Sequence, residues 1–230
     1  MDQQKQSRGG ARRGAGRKRN PRRHDPPHRA RGELSSDHPV HIVLRTLQHV
    51  PGLREADAYR ATHSVLERFV GGDDFRVVHL SIQGNHFHFL NEATDRRALS
   101  RSMRSLTINL ARAINREHRS YGPVFAHRYH ETQITTPWQA RNSIAYVLNN
   151  WRKHREDLAS IRTMSAKLDV YASGLAFDGW CDENGHAAQQ FTIPAGYKPL
   201  PVSPPRTSLL RSDWRRFGLI KLFETPGPMR

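Results

Sequence analysis

Three residues, Gln83-Gly84-Asn85, separate two runs of strand-forming character, Phe75–Ile82 and His86–Leu90. Gly and Asn accept the left-handed backbone that a tight turn needs, so the two runs must pair as an antiparallel hairpin. A lone hairpin is marginal in water and needs further strands or helices to cover it. The flanking sequence provides them. Upstream, His41–Leu47 is short and β-branched and reads as a strand. A looser helical stripe follows from about 54 to 70, through Leu53, Ala56, Tyr59, Val65/Leu66 and Phe69, until Gly71-Gly72-Asp73-Asp74 stops it.

Downstream of the hairpin, Leu99, Met103, Leu106, Leu110 and Ala113/Ile114 recur at helical spacing from Asp95, with Arg97, Arg101, Arg104, Arg112 and Arg116 on the other face. Gly122-Pro123 ends this helix, and Val124–Ile134 reads as a fourth strand. Thr136-Pro137 has the form of an N-cap followed by proline at the first helical position, opening a helix through Trp138 to about His154. The order β-α-β-β-α-β-α predicts an α+β fold. It is a ferredoxin-like (RRM-like) split βαβ sandwich, an antiparallel sheet with helices on one face, plus an added C-terminal helix. Residues 155–230 read as a partly irregular extension. It has a Pro-rich run over 194–205, and Leu209-Leu210, Trp214 and Leu219-Ile220 are placed to dock as a short helix.

Charge is concentrated. The 230 residues hold 37 Lys+Arg against 21 Asp+Glu, a net +16 with an isoelectric point near 11. Eleven of the basic and three of the acidic residues lie in 1–33, so that segment and the remainder each carry +8. Residues 1–36 have almost no large apolar side chains, too few to offset ordering entropy, and read as a disordered basic arm whose densest run is Arg12, Arg13, Arg17, Lys18 and Arg19. Residues 37–154 read as the folded domain. A single cysteine, Cys181, excludes an internal disulfide framework and a cysteine-based zinc site. With no long apolar run and no apolar core of a secretion signal, the expectation is a cytoplasmic protein, away from membranes, whose partner is a polyanion.

The chemistry-bearing residues lie on the hairpin and the last helix. Alternation along a strand projects His86 and His88 together, with Phe87 on the opposite face. Two imidazoles at this spacing suit one divalent metal but do not complete its shell. On the last helix, Ala140, Ile144, Val147 and Trp151 form an apolar stripe. Tyr146 lies about 200° around from Ile144, on a face with Asn142, Asn149, Asn150 and Lys153. A tyrosine that only filled a core would sit on the stripe. Asn150, four residues on, stacks on the same side as Tyr146, and an amide oxygen there can complete a two-histidine site.

Gly84-Asn85-His86-Phe87-His88-Phe89-Leu90, followed 58 residues after His88 by Tyr146-Val147-Leu148-Asn149-Asn150, resembles the HUH single-strand transposases with one catalytic tyrosine. The likeness extends to the REP-associated tyrosine transposases, through Arg128-Tyr129 and Arg141-Asn142 as well. It covers about residues 38–154. Asn149-Asn150-Trp151 departs from the single Asn followed by Pro of many relatives, and helical phase favours Asn150 as the matching residue.

The resemblance implies a metal-dependent single-stranded DNA endonuclease and strand transferase acting on hairpin DNA of palindromic repeats. Tyr146 would be the nucleophile, forming a 5′-phosphotyrosine. His86, His88 and Asn150 would hold Mg²⁺ or Mn²⁺. Arg128, Arg101, Arg104, Arg112 and Lys153, with the arm's Arg12, Arg13, Arg17, Lys18 and Arg19, would contact DNA. A nucleoid-associated protein of a bacterial cell, monomeric or dimeric, fits this reading. The competing reading is a non-catalytic hairpin DNA- or RNA-binding module, in which Phe87 and Phe89 form a stacking platform on an RRM-like sheet.

Overall fold

The computed structural model describes residues 31–158, 167–188, 191 and 196–227. The expected basic run Arg12–Arg19 lies outside the described residues. The folded unit begins at Arg31, six residues earlier than composition places it. Arg31 donates to the Tyr129 carbonyl at 2.6 Å and its guanidinium lies 3.7 Å over the Tyr129 ring. Leu34 is buried in the core.

The elements are β1 (Val40–Arg45), α1 (Ala56–Leu66), β2 (Phe75–Ile82), β3 (His86–Ala93), α2 (Arg96–Glu117), β4 (His130–Gln133) and α3 (Pro137–Lys153). The sheet order is β2-β3-β1-β4 with every neighbouring pair antiparallel, the split βαβ topology that the element order predicts. Asp95 caps α2 by accepting from Ala98 N at 2.7 Å, and Thr136 caps α3 by accepting from Gln139 N at 3.2 Å.

The fourth strand is shorter than its sequence pattern. Ala126 N donates to Arg45 O, and Leu47 N to Val124 O, so the segment first pairs beyond the end of β1. It then leaves the ladder through His127-Arg128-Tyr129, where Arg31 takes the Tyr129 carbonyl, and rejoins at His130.

Alternation divides the sheet between two cores. Phe87 and Phe89 of β3, with Ile42, Leu44, Leu80 and Ile82, pack under α1 and α2 against Leu99, Met103, Leu106 and Leu110. Leu90 and Val78 face the other way, against Ala140, Ile144 and Val147 of α3. Hence α1 and α2 cover one face and α3 the other. Phe87 and Phe89 are fully buried, which removes the stacking platform of the RRM-like reading: an aromatic in a closed core has no face to offer a base.

Beyond α3 the extension supplies a third layer. It contains β5 (Trp180–Cys181), α4 (Ser208–Arg211) and β6 (Ile220–Lys221), β5 and β6 pairing in parallel. Leu209, Leu210, Trp214 and Ile220 dock on α3 together with Phe177 and Trp180, as the sequence anticipates. The fit is close at Gly179, where a Cβ would run into the Trp214 and Phe177 rings.

The extension also closes the edge of β2. Ile82 N donates to Tyr171 O at 2.8 Å, Leu80 N to Ser173 Oγ at 3.0 Å and Ser203 N to Val77 O at 2.8 Å. An open strand edge would otherwise invite pairing with other chains.

Two buried carboxylates fasten this layer. Asp169 takes both arms of Arg54 at 2.8 and 2.9 Å, and Arg54 also donates to Ile82 O. Glu92 on β3 accepts from Arg206 N, Thr207 N and Thr207 Oγ1 at 2.8–3.1 Å, at the entry to α4.

Removing one partner of a buried ion pair strips the other of its main compensation, and of its carboxylate contacts Arg54 would keep only the longer one to Glu156 at 3.7 Å. Asp169→Asn is expected to cost about 3 kcal/mol of unfolding free energy, read by chemical denaturation; a change below 1 kcal/mol would show that Arg54 finds water instead.

His79, buried against Phe177 and within 3.5 Å of Ser173 Oγ, has its pKa lowered to about 4 by burial. The unfolded chain binds this proton below about pH 6.5 and the folded chain does not until about pH 4. Stability is therefore full above 6.5 and falls as pH drops toward 4. Between pH 7 and 5 this one group should remove about 2 kcal/mol, and His79→Gln should reduce the measured fall by that amount.

Candidate active site around the paired histidines

The α3 side of the sheet gathers an unusual set of side chains. His86 and His88 project there from β3, joined by the neighbouring rows of β1 and β2. In register, His88 lies opposite Val43 and Ser81, and His86 opposite Arg45. His41 comes from β1, two residues before Val43. His86, His88 and His41 are all buried.

Their nitrogens form a chain. His41 Nε2 is 3.0 Å from His88 Nδ1, His88 Nε2 is 2.9 Å from His86 Nε2, and His86 Nδ1 is 2.8 Å from Asn85 Oδ1. Asn85 Oδ1 can only accept, so His86 carries its proton on Nδ1 and turns a lone pair of Nε2 inward.

Burial is the main cause that keeps all three imidazoles neutral. It lowers the pKa of His41 to about 3, helped by His130, and that of His86 to about 4, helped by Arg45 and His154. His88 falls to about 2, through burial and then the positive forms of His41, His86, His154 and Lys153.

The α3 helix lies across these histidines along one stripe of residues four apart. The Tyr146 ring meets His88 edge-on at 5.2 Å and His41 at 5.9 Å, and His154, eight residues on, meets His86 at 5.6 Å. Asn150 is midway between them. Its side chain is fully buried, and neither Oδ1 nor Nδ2 has a hydrogen-bond partner. Gln83 lies beside Ser81, opposite His88. It donates to Ser81 Oγ at 3.2 Å, while its buried Oε1 has no partner.

A buried amide with nothing to bond costs about 1–3 kcal/mol and calls for an absent partner. The donor set fits a divalent cation. Two ligand atoms each about 2.1 Å from a metal and at right angles stand about 3 Å apart, matching the 2.9 Å between the two Nε2 atoms. Both imidazoles are neutral, as ligation requires, and Asn150 offers an oxygen. No group of three or more His, Cys, Asp or Glu with metal-holding geometry occurs among the described residues, so the amide is needed to exceed two ligands.

Asn149 and Asn150 are separated by the structure. Asn149 turns to the extension and donates to Lys221 O at 3.1 Å. It does not share the Tyr146 face as the sequence reading grouped it, because α3 is covered on both sides. Lys153 joins the site, its Nζ 4.7 Å from the centre of the Tyr146 ring. Arg128 is exposed on the loop before β4, two residues from His130, which faces the site side opposite Val43.

Arg101, Arg104 and Arg112 are not part of this site. They are exposed on α2, across the sheet from Tyr146, and Arg101 pairs with Asp74 at 3.0 Å.

Sequence reasoning missed His41, Arg45, Gln83 and His154. The i, i+4, i+8 stripe from Tyr146 already points to His154. Strand register brings in His41 and Arg45, and no local pattern carries it. Replacing His41 with Ala should leave the His88 Nδ1 without its partner. A selective ¹⁵N-histidine spectrum is expected to show His88 changing tautomer population; an unchanged His88 signal would show that His41 does not orient it.

No curated protein matches the chain. Among solved structures, a REP-associated tyrosine transposase bound to a REP hairpin is similar at 12% identity, covering 56% of this chain and 74% of its own, with a TM-score of 0.45. The model of the IS200-like transposase family matches residues 35–150, a span that holds every residue from His41 to Asn150 described above. The chain belongs to the IS200-like transposase family.

Proposed function

We propose that the chain is a metal-dependent single-stranded DNA endonuclease and strand transferase, using Tyr146 as nucleophile on hairpin DNA. The observation that carries this reading is the convergence of His86 Nε2 and His88 Nε2 beside Tyr146 and the unpartnered amide of Asn150. Family membership supports a transposase; the resemblance to REP-associated members supports a hairpin of palindromic repeat DNA as substrate.

In the reaction, Tyr146 Oη attacks the scissile phosphorus in line. The new phosphorus–oxygen bond replaces the bond to the 3′ oxygen, which leaves and takes a proton to become a 3′-hydroxyl. The tyrosine proton passes to solvent. A phenol is a weak nucleophile near neutrality, with an ordinary pKa of about 10. Mg²⁺ or Mn²⁺ held by His86, His88 and Asn150 would polarise the phosphate and stabilise charge developing on it.

The other residues bind and orient. Lys153 against the Tyr146 ring and Arg45 beside His86 place positive charge where a phosphate must sit. The edge-on contacts with His88 and His41 fix the ring plane of Tyr146. Because the phosphotyrosine conserves the phosphodiester linkage, attack by a 3′-hydroxyl reverses the step and joins strands without a nucleotide cofactor.

The test is a denaturing gel of the full chain with single-stranded hairpin oligonucleotides from palindromes flanking its own gene, with Mn²⁺, Mg²⁺ or EDTA. A covalent protein–DNA adduct is expected with metal, lost with EDTA and absent in Tyr146→Phe, which should still bind the hairpin within about twofold of wild type. Asn150→Ala should raise the metal concentration for half-maximal adduct at least ~10-fold, and Asn149→Ala should not. Hairpin binding by the wild-type chain with no adduct under any metal would sink the enzyme reading and favour a non-cutting repeat-binding protein.

The ten basic residues of 1–30 should add salt-sensitive phosphate contacts. Deleting 1–30, just before the folded unit, is expected to weaken DNA binding and flatten the slope of log affinity against log salt; an equal slope would count against the arm.

A further inference from the structure

A second site lies outside the histidine centre, where α1 meets the extension. Tyr59, Tyr171 and Tyr197 line an open cavity of about 500 Å³ together with Arg60, His63 and Lys198. The rings stand around one another, Tyr59 to Tyr171 at 5.6 Å and Tyr59 to Tyr197 at 5.8 Å.

Two hydroxyls are already used. Tyr59 donates to Lys198 O at 2.6 Å and Tyr197 to Val170 O at 2.7 Å. Burial raises the pKa of all three phenols, so they stay neutral. The hydroxyl bonds hold the rings in place, and the cavity is offered mainly ring surface. Its rim carries Arg60, His63 and Lys198; Arg60 pairs with Asp57 and His63 contacts Glu67, and no carboxylate is among the described lining residues.

Fixed aromatic surface with a cation at its edge, here Lys198, is an arrangement by which proteins hold single-stranded nucleic acid, stacking the base and meeting its phosphate. Tyr171 O accepts from Ile82 N, and Ile82 lies opposite Phe87 on the core face. The cavity therefore lies on the α1 side of the sheet, with the Tyr171 backbone about two strand spacings, roughly 10 Å, from β3, and a strand that reaches both Tyr146 and the cavity must pass around the hairpin end of β2. Arg54, whose guanidinium lies 4.5 Å over the Tyr171 ring while bound to Asp169 and Ile82 O, stiffens the wall between the two sites.

We propose that this cavity takes one unpaired base of the single-stranded DNA whose backbone is processed at Tyr146. The inference rests on the reading of the chain as a single-strand DNA enzyme. It assigns the tyrosines to holding the strand, with no part in bond breaking.

The experiment uses the full chain and a 12-nucleotide deoxyadenosine strand with one central 2-aminopurine, whose fluorescence falls when it stacks on an aromatic ring. Quenching on binding is expected with wild type and with Tyr146→Phe. It should drop at least threefold in Tyr59→Leu and in Tyr197→Leu, which keep apolar volume. Near-UV circular dichroism confirms folding of each variant. Tyr197 is the outlying wall, so its variant stays informative if Tyr59→Leu fails to fold.

Quenching that is absent in wild type, or unchanged in folded tyrosine variants, overturns the proposal. Adduct formation is scored separately on the hairpin. Adduct without tyrosine-dependent quenching would overturn the base pocket alone. Tyrosine-dependent quenching without adduct would overturn the strand-transfer chemistry and leave the pocket.

Discussion

The strand His86–Ala93 is buried on both faces, and the rest of the molecule is arranged around that constraint. Its phenylalanines go into the core beneath α1 and α2, as apolar side chains do. Its histidines go to the other side, where burial is costly for any imidazole that charges or lacks partners. The chain from His41 through His88 and His86 to Asn85 meets that requirement by giving the buried ring nitrogens neighbours while leaving the imidazoles neutral. Neutral, oriented, converging imidazoles are also what a cation site needs. The packing solution and the chemical one coincide on the same atoms.

Covering those histidines requires α3, and covering α3 requires the extension. The helix carries apolar residues over more than one stripe: Ala145 and Leu148 are buried as well as Ile144 and Val147. A sheet on one side cannot take them all. The layer holding Phe177, Trp180, Leu210 and Trp214 accepts the remainder, and it is tied down at Asp169 and Glu92. This rigid backing bears on Tyr146. In the proposed reaction a nucleophile displaced by about 1 Å would lose much of its advantage, and a helix clamped between two layers has little freedom to shift. The same extension seals the exposed edge of β2 and forms one wall of the tyrosine cavity, so one segment serves stability and the proposed strand path.

The periodicity of the chain was enough to read the hairpin, the capped starts of α2 and α3, and the β-α-β-β-α-β-α order, because alternation and 3.6-residue repeats are local properties of a polymer in water. The pairing of His86 with His88, and of Tyr146 with Asn150 rather than Asn149, follows from the same geometry and was legible for that reason. What sequence left open depended on strand register and layer order. Arg45 and His41 reach the site only because β1 pairs with β3 in one particular register, and Gln83 because the hairpin sets it across from His86, whose carbonyl accepts from the Gln83 N–H. Arg101, Arg104 and Arg112 formed a persuasive basic face, yet the topology set that helix on the far side of the sheet. Phe87 and Phe89 looked available until α1 and α2 closed over them. Contacts between residues distant in the chain are fixed by how layers exclude water together, a balance over the whole fold that no single window of sequence contains.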